Sequence, residues 1–596
     1  MDATRTPDGP GNARIEHVIV LAFENRSFDH LFGFLDHPSD DFDGVVGKPR
    51  LGNRLDPAHT TSRWIAPEPT AEYVVPLDPD HEHGAVMGQI TAVGDVANAG
   101  FVGSLVRKAL ASMQGQTRHA RFRAWGRRIA IGAGFVALVL VVFRKWWFAA
   151  AAFAAAAAGI VIAVMNRPRA ATRDERERAE AMGPSVMRCF SPDKVPVIST
   201  LAKEFAVCQR WFCSVPGETW PNRNFFHAAT SSGSVNIELG FYRDRTIFEV
   251  LDETHSWRVY YGQFPPQVFF FPFVLRHSIF RSNSLQDLLH DLEAGNLPAY
   301  AFVEPHHGLL GREPSCSQHP GNNVSGKHDG SDFRAGERLI GEIYQRLRAN
   351  EQLFRETLLI VTYDEHGGLY DHRPPEATVA PGPRQSTLSR RLLQWLLARD
   401  LPPTFDFRLL GPRVPCVVIS PWIAKGTIDD RVRDHSTIPA TVQALFAPGT
   451  PPLGNRAARA SSLEELLTLD RPRTDDLPDV VDAMTQLGDP PLFDDDVPSV
   501  PTEAAAARPE APQSQFDWQL VELTDAIVRG TVPPRGPVGR RMGALLRRGD
   551  DAPKLRRPGP VRRARLRAKS VDELAKLHDD AVWSLGAIAA EQLEAQ

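Results

Sequence analysis

Four apolar runs in the chain break off into residues that could do chemistry. Ile15–Phe23 runs into Glu24-Asn25-Arg26-Ser27-Phe28-Asp29-His30, and Leu297–Val303 into Glu304-Pro305-His306-His307. Thr357–Tyr363 runs into Asp364-Glu365-His366-Gly367-Gly368, and Val414–Ile419 into Ser420-Pro421-Trp422. Glu24, Asp364 and Glu365 are carboxylates at two of these ends. Hard oxygen donors suit Mg²⁺, Ca²⁺ or Mn²⁺, and the nearby His30, His366 and His372 widen the choice to Zn²⁺ or Fe. A fifth segment, Val215-Pro216-Gly217-Glu218-Thr219-Trp220-Pro221-Asn222-Arg223-Asn224, is a proline-fenced loop before an apolar helix start. Thr219 there is a candidate nucleophile if a metal lowers the pKa of its hydroxyl, and Asn222 and Arg223 could hold an oxyanion or a phosphate. Further candidates are His81 and the His328-Asp329 pair. His83, His306 and His307 read as ordinary surface or core histidines. Gly321–His328 follows the P-loop spacing but has His where Ser or Thr must bind Mg²⁺, and it does not follow a strand directly.

These residues need a scaffold that brings them together. Near-continuous apolar strands with helical patterns between them indicate a parallel sheet covered on both faces. One covering helix is expected over Phe333–Leu347, with Leu339, Ile340, Ile343, Tyr344 and Leu347 on its apolar stripe. Ligands of open α/β sheets bind beyond the carboxyl ends of the strands, so all four polar clusters are expected on one rim. The 68 basic and 72 acidic residues give a net charge of −4, which argues against a nucleic-acid partner. The five cysteines (Cys189, Cys208, Cys213, Cys316 and Cys416) are spread without a C-x-x-C motif. That excludes a disulfide scaffold and favours a reduced compartment.

A membrane signal lies within the chain. Ile129–Phe143 and Trp146–Met165 are free of charge, and Arg144-Lys145 separates them. The second run is long enough for the ~20 residues that cross a bilayer. Trp146 and Trp147 stand where an aromatic belt would form. The N-terminus shows no apolar signal region. The expectation is a transmembrane hairpin. Its outer flanks carry Arg118, Arg121, Arg123, Arg127 and Arg128 on one side, and Arg167, Arg169 and Arg173 on the other. The positive-inside rule then places the protein at the inner membrane, with its catalytic domain in the cytoplasm.

Together the motifs resemble the bacterial phosphoesterase family of non-haemolytic phospholipases C and acid phosphatases, within the alkaline-phosphatase-like superfamily. The stretches that carry the resemblance are IEHVIVLAFENRSFDHLFG, DPDHEH, AGFV, VPVISTLAKEFAVCQRWFCSVPGETWPNRNFFHAAT, SWRVYYGQFP, KHDGSD, LLIVTYDEHGGLYDH and GPRVPCVVISPWIAKGT with Asp434-His435-Ser436. The resemblance implies an alkaline-phosphatase-like three-layer α/β sandwich around a mostly parallel sheet. It implies Glu24, Asn25, Asp364 and Glu365 as ligands of a divalent metal, which could be Ca, Mg, Mn, Zn or Fe. It implies Thr219 as nucleophile, and His81, Asn222, His328, His372 and His435 in the phosphate pocket. The expected substrate is a phospholipid or another phosphate ester. A phosphodiesterase of the phospholipase C kind comes first and a phosphomonoesterase second, and a non-catalytic membrane scaffold is the alternative of another class. The expected map is a catalytic domain over 1–104 and 181–488, a hairpin insertion over 105–180, a linker over 489–515 and a basic helical tail over 516–596.

Overall fold

The computed structural model describes residues 15–114, 170–237, 242–307, 315–323, 333–382 and 405–492, apart from 49, 57, 58, 60, 253, 263–265, 489 and 491. The hydrophobic runs at 129–165, His328 and the tail lie outside the described residues. No helix among the described residues is long and apolar enough to cross a membrane.

Eight strands form one sheet: β1 (His17–Phe23), β2 (Ala206–Cys208), β3 (Trp257–Tyr261), β4 (Ser282–Ser284), β5 (Tyr300–Glu304), β6 (Thr357–Tyr363), β7 (Cys416–Ile419) and β8 (Thr427–Asp429). Their order is β8-β2-β7-β6-β1-β5-β3-β4. β1 lies between β5 and β6 and is parallel to both. β5 and β6 are buried along their whole length, and β1 beyond its first residue, as both-face burial of a parallel sheet requires. Phe23 is level with Tyr363, so Glu24 and Asp364 leave neighbouring strands at the same height. Leu21 is level with Val303, which brings Glu304 out on the same edge.

The single-rim expectation holds for three of the four clusters. β7 runs antiparallel to both β6 and β2. Its carboxyl end, Ser420-Pro421-Trp422, therefore leaves at the opposite edge, and Arg413, ahead of β7, comes to the catalytic edge instead. A short apolar run carries no mark of its direction, so the sequence pattern alone could not show this.

The helices used below are α1 (Phe28–Phe32), α2 (Phe101–Met113), α3 (Arg173–Met182), α4 (Pro196–Glu204), α5 (Thr219–Ala228), α6 (Arg334–Ala349) and α7 (Thr437–Phe446). α6 covers the helix expected over Phe333–Leu347, and all five residues of its apolar stripe are buried. It packs on α4, where Glu337 accepts the backbone N–H groups of Val197 and Ile198 at 2.9 and 3.2 Å. Those are unpaired donors of a helix start, so a buried carboxyl group serves them well. α5 packs with α7. α2 runs on past residue 104 to Met113 and packs against α3, which a Thr172/Glu175 capping box opens. The chain therefore leaves the described body at 114 and returns at 170 side by side. All five cysteines are buried thiols, in keeping with their reading as small core residues.

Candidate active site

Two turns meet at the ends of β1 and β6. Asn25 has φ +58°, a left-handed conformation that Asn tolerates. Gly367 and Gly368 follow β6 with φ +64° and +68°. A Cβ on Gly367 would overlap the Asn25 carbonyl oxygen, so the glycine allows the two turns to touch. Asp364 Oδ1 accepts the backbone N–H of Asn25 at 3.0 Å and that of Glu365 at 2.7 Å.

The loop that carries Thr219 comes in from the third side. Thr219 is the first residue of α5 and is buried. Its hydroxyl donates to Asn25 Oδ1 at 3.4 Å. Asn25 Nδ2 lies 3.0 Å from His319 Nε2 and 3.4 Å from His81 Nε2. One turn further along α5, the buried Arg223 reaches three strand ends. It lies 2.9 Å from Asp364 Oδ2, 3.4 Å from Glu304 Oε2 and 3.8 Å from Glu24 Oε1.

The four expected metal ligands are thereby divided. Glu24 turns towards His307, whose Nδ1 is 2.7 Å from Glu24 Oε2 and whose Nε2 is 3.2 Å from Glu304 Oε1. Burial opposes charge on His307, but Glu24 and Glu304 outweigh it and carry its pKa up to about 9. Burial would likewise raise Glu24, yet His307, His319 and Arg223 hold it well below the usual carboxylate range. Glu365 faces His81 at 4.0 Å and is pushed well up, by burial first and then by Asp364, with His81 opposing. Asp364 rises to about 6, by burial first, with Arg223 opposing and Glu24 adding.

A divalent cation fits these residues. Among the described residues, Glu24 Oε1 and Glu365 Oε1 are buried oxygens with no hydrogen-bond donor. A buried carboxylate oxygen without a hydrogen bond is costly, and oxygen donors are what a hard cation takes.

The phosphate-pocket candidates divide too. His81 donates from Nδ1 to Pro79 O at 2.9 Å, which turns Nε2 to Asn25 and Glu365. Asn222 is a brace. Its Oδ1 accepts Val215 N–H at 3.0 Å, and its Nδ2 faces the carbonyls of Val215, Gly217 and Glu218 at 3.1–3.2 Å. The geometry thus favours holding the Thr219 loop over binding phosphate. His435 is a strut. Trp211 N–H donates to its Nδ1 at 3.1 Å, so Nε2–H donates to Asp364 O at 2.6 Å. Burial lowers its pKa to about 4 and keeps it neutral.

His372 lies in a buried ion cluster. Its Nδ1 is 2.8 Å from Asp29 Oδ2 and its Nε2 is 3.3 Å from Asp43 Oδ1. Asp29, Asp371 and His372 are close enough to hold a metal, their ligand atoms lying within 4.8 Å of one another. Arg413, however, is already bonded to Asp29 at 3.0 Å and to Asp371 at 2.9 Å. The guanidinium supplies there the positive charge that a metal would bring. His307 and His319 lie inside the catalytic group although the sequence reading set the first aside and did not single out the second. The Glu-x-x-His spacing after β5 was the available signal for His307.

Residues 15–125 and 165–447 match the phosphoesterase family. The chain belongs to this family. It is a hydrolase of phosphoric ester bonds. Among curated relatives, non-specific phospholipase C6 of Arabidopsis thaliana is 29% identical over 87% of this chain and 81% of its own. Non-specific phospholipase C4 of the same plant is 30% identical over 79% and 75%. Non-hemolytic phospholipase C of Burkholderia pseudomallei is 24% identical over 44% of this phosphoesterase and 42% of its own chain. A solved protein of the alkaline phosphatase superfamily from Vibrio parahaemolyticus aligns with 46% of this chain and 65% of its own, at 15% identity and a TM-score of 0.26.

Two predictions follow from this geometry. Gly367→Ala must separate the Asn25 and Gly367 turns, and small displacements of reacting groups can cost about 100-fold in rate. Steady-state turnover should fall by that order while circular dichroism stays native, and a rate within about twofold of wild type would refute the contact's role. For His372, burial opposes the charge but Asp29 and Asp43 outweigh it and raise the pKa from 6.5 to about 9. A raised pKa stabilises the fold below the unfolded value and loses that effect as pH climbs through the folded one. The stability gap between wild type and His372→Gln in urea unfolding should therefore be widest below pH 6.5 and shrink by about 3 kcal/mol towards pH 9. A gap that does not change with pH would contradict this.

Proposed function

We propose that this phosphoesterase is a membrane-tethered, metal-dependent phosphodiesterase of the phospholipase C kind, working through a phosphothreonine on Thr219. The observation that carries the reading is the placement of the buried Thr219 hydroxyl 3.4 Å from Asn25 Oδ1, at the start of a helix, with the same Asn25 in contact with Asp364 and His81. A helix start favours negative charge, which suits both a forming alkoxide and a phosphate. Oxygens of Glu24, Asn25, Asp364 and Glu365 would hold the divalent cation, which supplies Lewis-acid stabilisation of charge on the phosphoryl oxygens.

The chain's own residues would act in two steps. Thr219 Oγ attacks phosphorus, its proton goes to solvent or a neighbouring base, and the bond from phosphorus to the glycerol oxygen breaks. That oxygen takes up a proton and leaves as diacylglycerol. Water then attacks the phosphothreonine, which frees the phosphorylated head group and restores the hydroxyl. His81 and His319, on the far side of the Asn25 amide, are placed to steady phosphoryl oxygens through hydrogen bonds. Arg223 keeps α5 in register with the strand ends.

The membrane part rests on the sequence. Residues 126–164 fall in the gap between the two stretches that match the family, and this gap contains most of the apolar runs. α2 and α3 pack together where the chain leaves and returns. An insertion that starts and ends on one side of a bilayer needs that arrangement.

Purified protein should hydrolyse p-nitrophenyl phosphorylcholine faster than p-nitrophenyl phosphate, and chelation should abolish both activities. Thr219→Ala should lose several orders of magnitude in turnover with its metal content unchanged. Residual activity within about tenfold of wild type would remove Thr219 from the mechanism. Faster monoester turnover would make the protein a phosphatase. Deleting 126–164 should release the protein from the membrane fraction while keeping turnover of the soluble ester. Full retention on membranes would place the tether elsewhere.

A further inference from the structure

Glu218, the residue before the nucleophile, has a buried carboxyl group that the reaction above does not use, with only 4% of the residue exposed. As N-cap residue of α5 it makes no capping bond with its side chain. Its Oε2 instead accepts the backbone N–H of Ile237. That contact is one of several between the nucleophile loop and residues 235–237. Gly217 passes so close to Val235 that a Cβ would overlap the Val235 carbonyl oxygen. His83 ties the same two segments, with Nδ1 donating to Pro216 O at 2.6 Å and its backbone N–H donating to Asn236 Oδ1 at 2.8 Å.

We propose that Glu218 is a positioning residue for Thr219, which as a neutral acid docks the nucleophile loop onto residues 235–237 and, on ionising, sets the alkaline limit of turnover. The inference rests on Thr219 being the nucleophile. The charged groups that face Glu218 are Asp80 and Glu82 from the loop carrying His81, and Lys108 from α2; His83 packs on the same loop. Burial raises the Glu218 pKa to about 8, with Asp80 and Glu82 adding to the shift and the Ile237 N–H and Lys108 opposing it. Below that pH the carboxyl group is neutral and can stay buried. Above it, a negative charge appears beside the residue that must meet an anionic phosphate, and a buried site that suits the neutral acid must hold a desolvated charge.

The test compares the pH profiles of kcat and KM for p-nitrophenyl phosphate between wild type, Glu218→Gln, Glu218→Ala and Thr219→Ala, all as full chains. Wild-type turnover should fall through about pH 8. Glu218→Ala should lower kcat at pH 7 by about tenfold or more, and Glu218→Gln should restore it to within about threefold of wild type. The Gln variant cannot ionise, so its profile should lack the limb near pH 8. A Gln variant that keeps the wild-type limb, or fails to rescue, overturns the inference, as does an Ala variant with wild-type kcat. Turnover by Thr219→Ala would defeat the nucleophile reading separately, so the two failures are distinguishable. Native circular dichroism of the Gln variant guards against a folding defect.

Discussion

One buried guanidinium sets the geometry of the catalytic edge. Arg223 projects from α5 into the ends of three adjacent parallel strands, meeting Glu304, Glu24 and Asp364. Carboxylates that leave neighbouring parallel strands at one level repel each other, and taking them out of water makes the repulsion stronger. A cation among them is a condition of folding this way. Because it comes from α5, the same residue fixes how far the helix start, and with it Thr219, lies from the strand ends. Removing one partner of a buried ion network leaves an unpaired charge, at a cost of about 3–5 kcal/mol.

The remaining charge arrangement follows from that clamp. Arg223 and a protonated His307 sit among Glu24, Glu304 and Asp364, so this side of the edge is largely balanced by the chain itself. Glu365 lies on the other side with His81. His366, beside it, is pushed down to about 3 by burial and cannot help. Glu365 is therefore the carboxyl group of this edge that the chain's own cations balance least, as its raised pKa reflects. A second clamp repeats the device, with Arg413 between Asp29 and Asp371, and holds α1 and the Gly367–Asp371 turn against the strand that follows.

The sequence made the strand ends legible because a both-face-buried strand is a continuous apolar run, and its end is marked by the first charged residue. It drew attention to the Thr219 loop because prolines fence it. It placed the end of β7 on the wrong edge, since four apolar residues read the same in either direction. It could not separate His81, which faces the catalytic group, from His435, which supports it from behind. Both are histidines inside motifs, and the difference lies in whether the ring nitrogens are already bonded to Trp211 and Asp364. The role of Asn222 was open for the same reason, because an amide that binds phosphate and an amide that braces a loop are one residue type. His307 and His319 were hidden by distance, their partner Asn25–Glu24 turn being almost three hundred residues away.

The helix that borders the apolar insertion also touches the catalytic edge. Phe101, at the start of α2, packs edge-on against His366 at 5.8 Å. Further along, Lys108 donates to Pro79 O at 3.1 Å, the carbonyl that also receives His81. Gln89 joins the two contacts, accepting from His366 at 2.9 Å and donating to Asp80 O at 2.6 Å. The loop carrying His81 is thus held between Glu365's neighbour and α2. A helix tied at several points to a close-packed body transmits displacement instead of absorbing it. The far end of α2 is therefore connected, through one rigid element, to the histidine that faces Asn25 and Glu365.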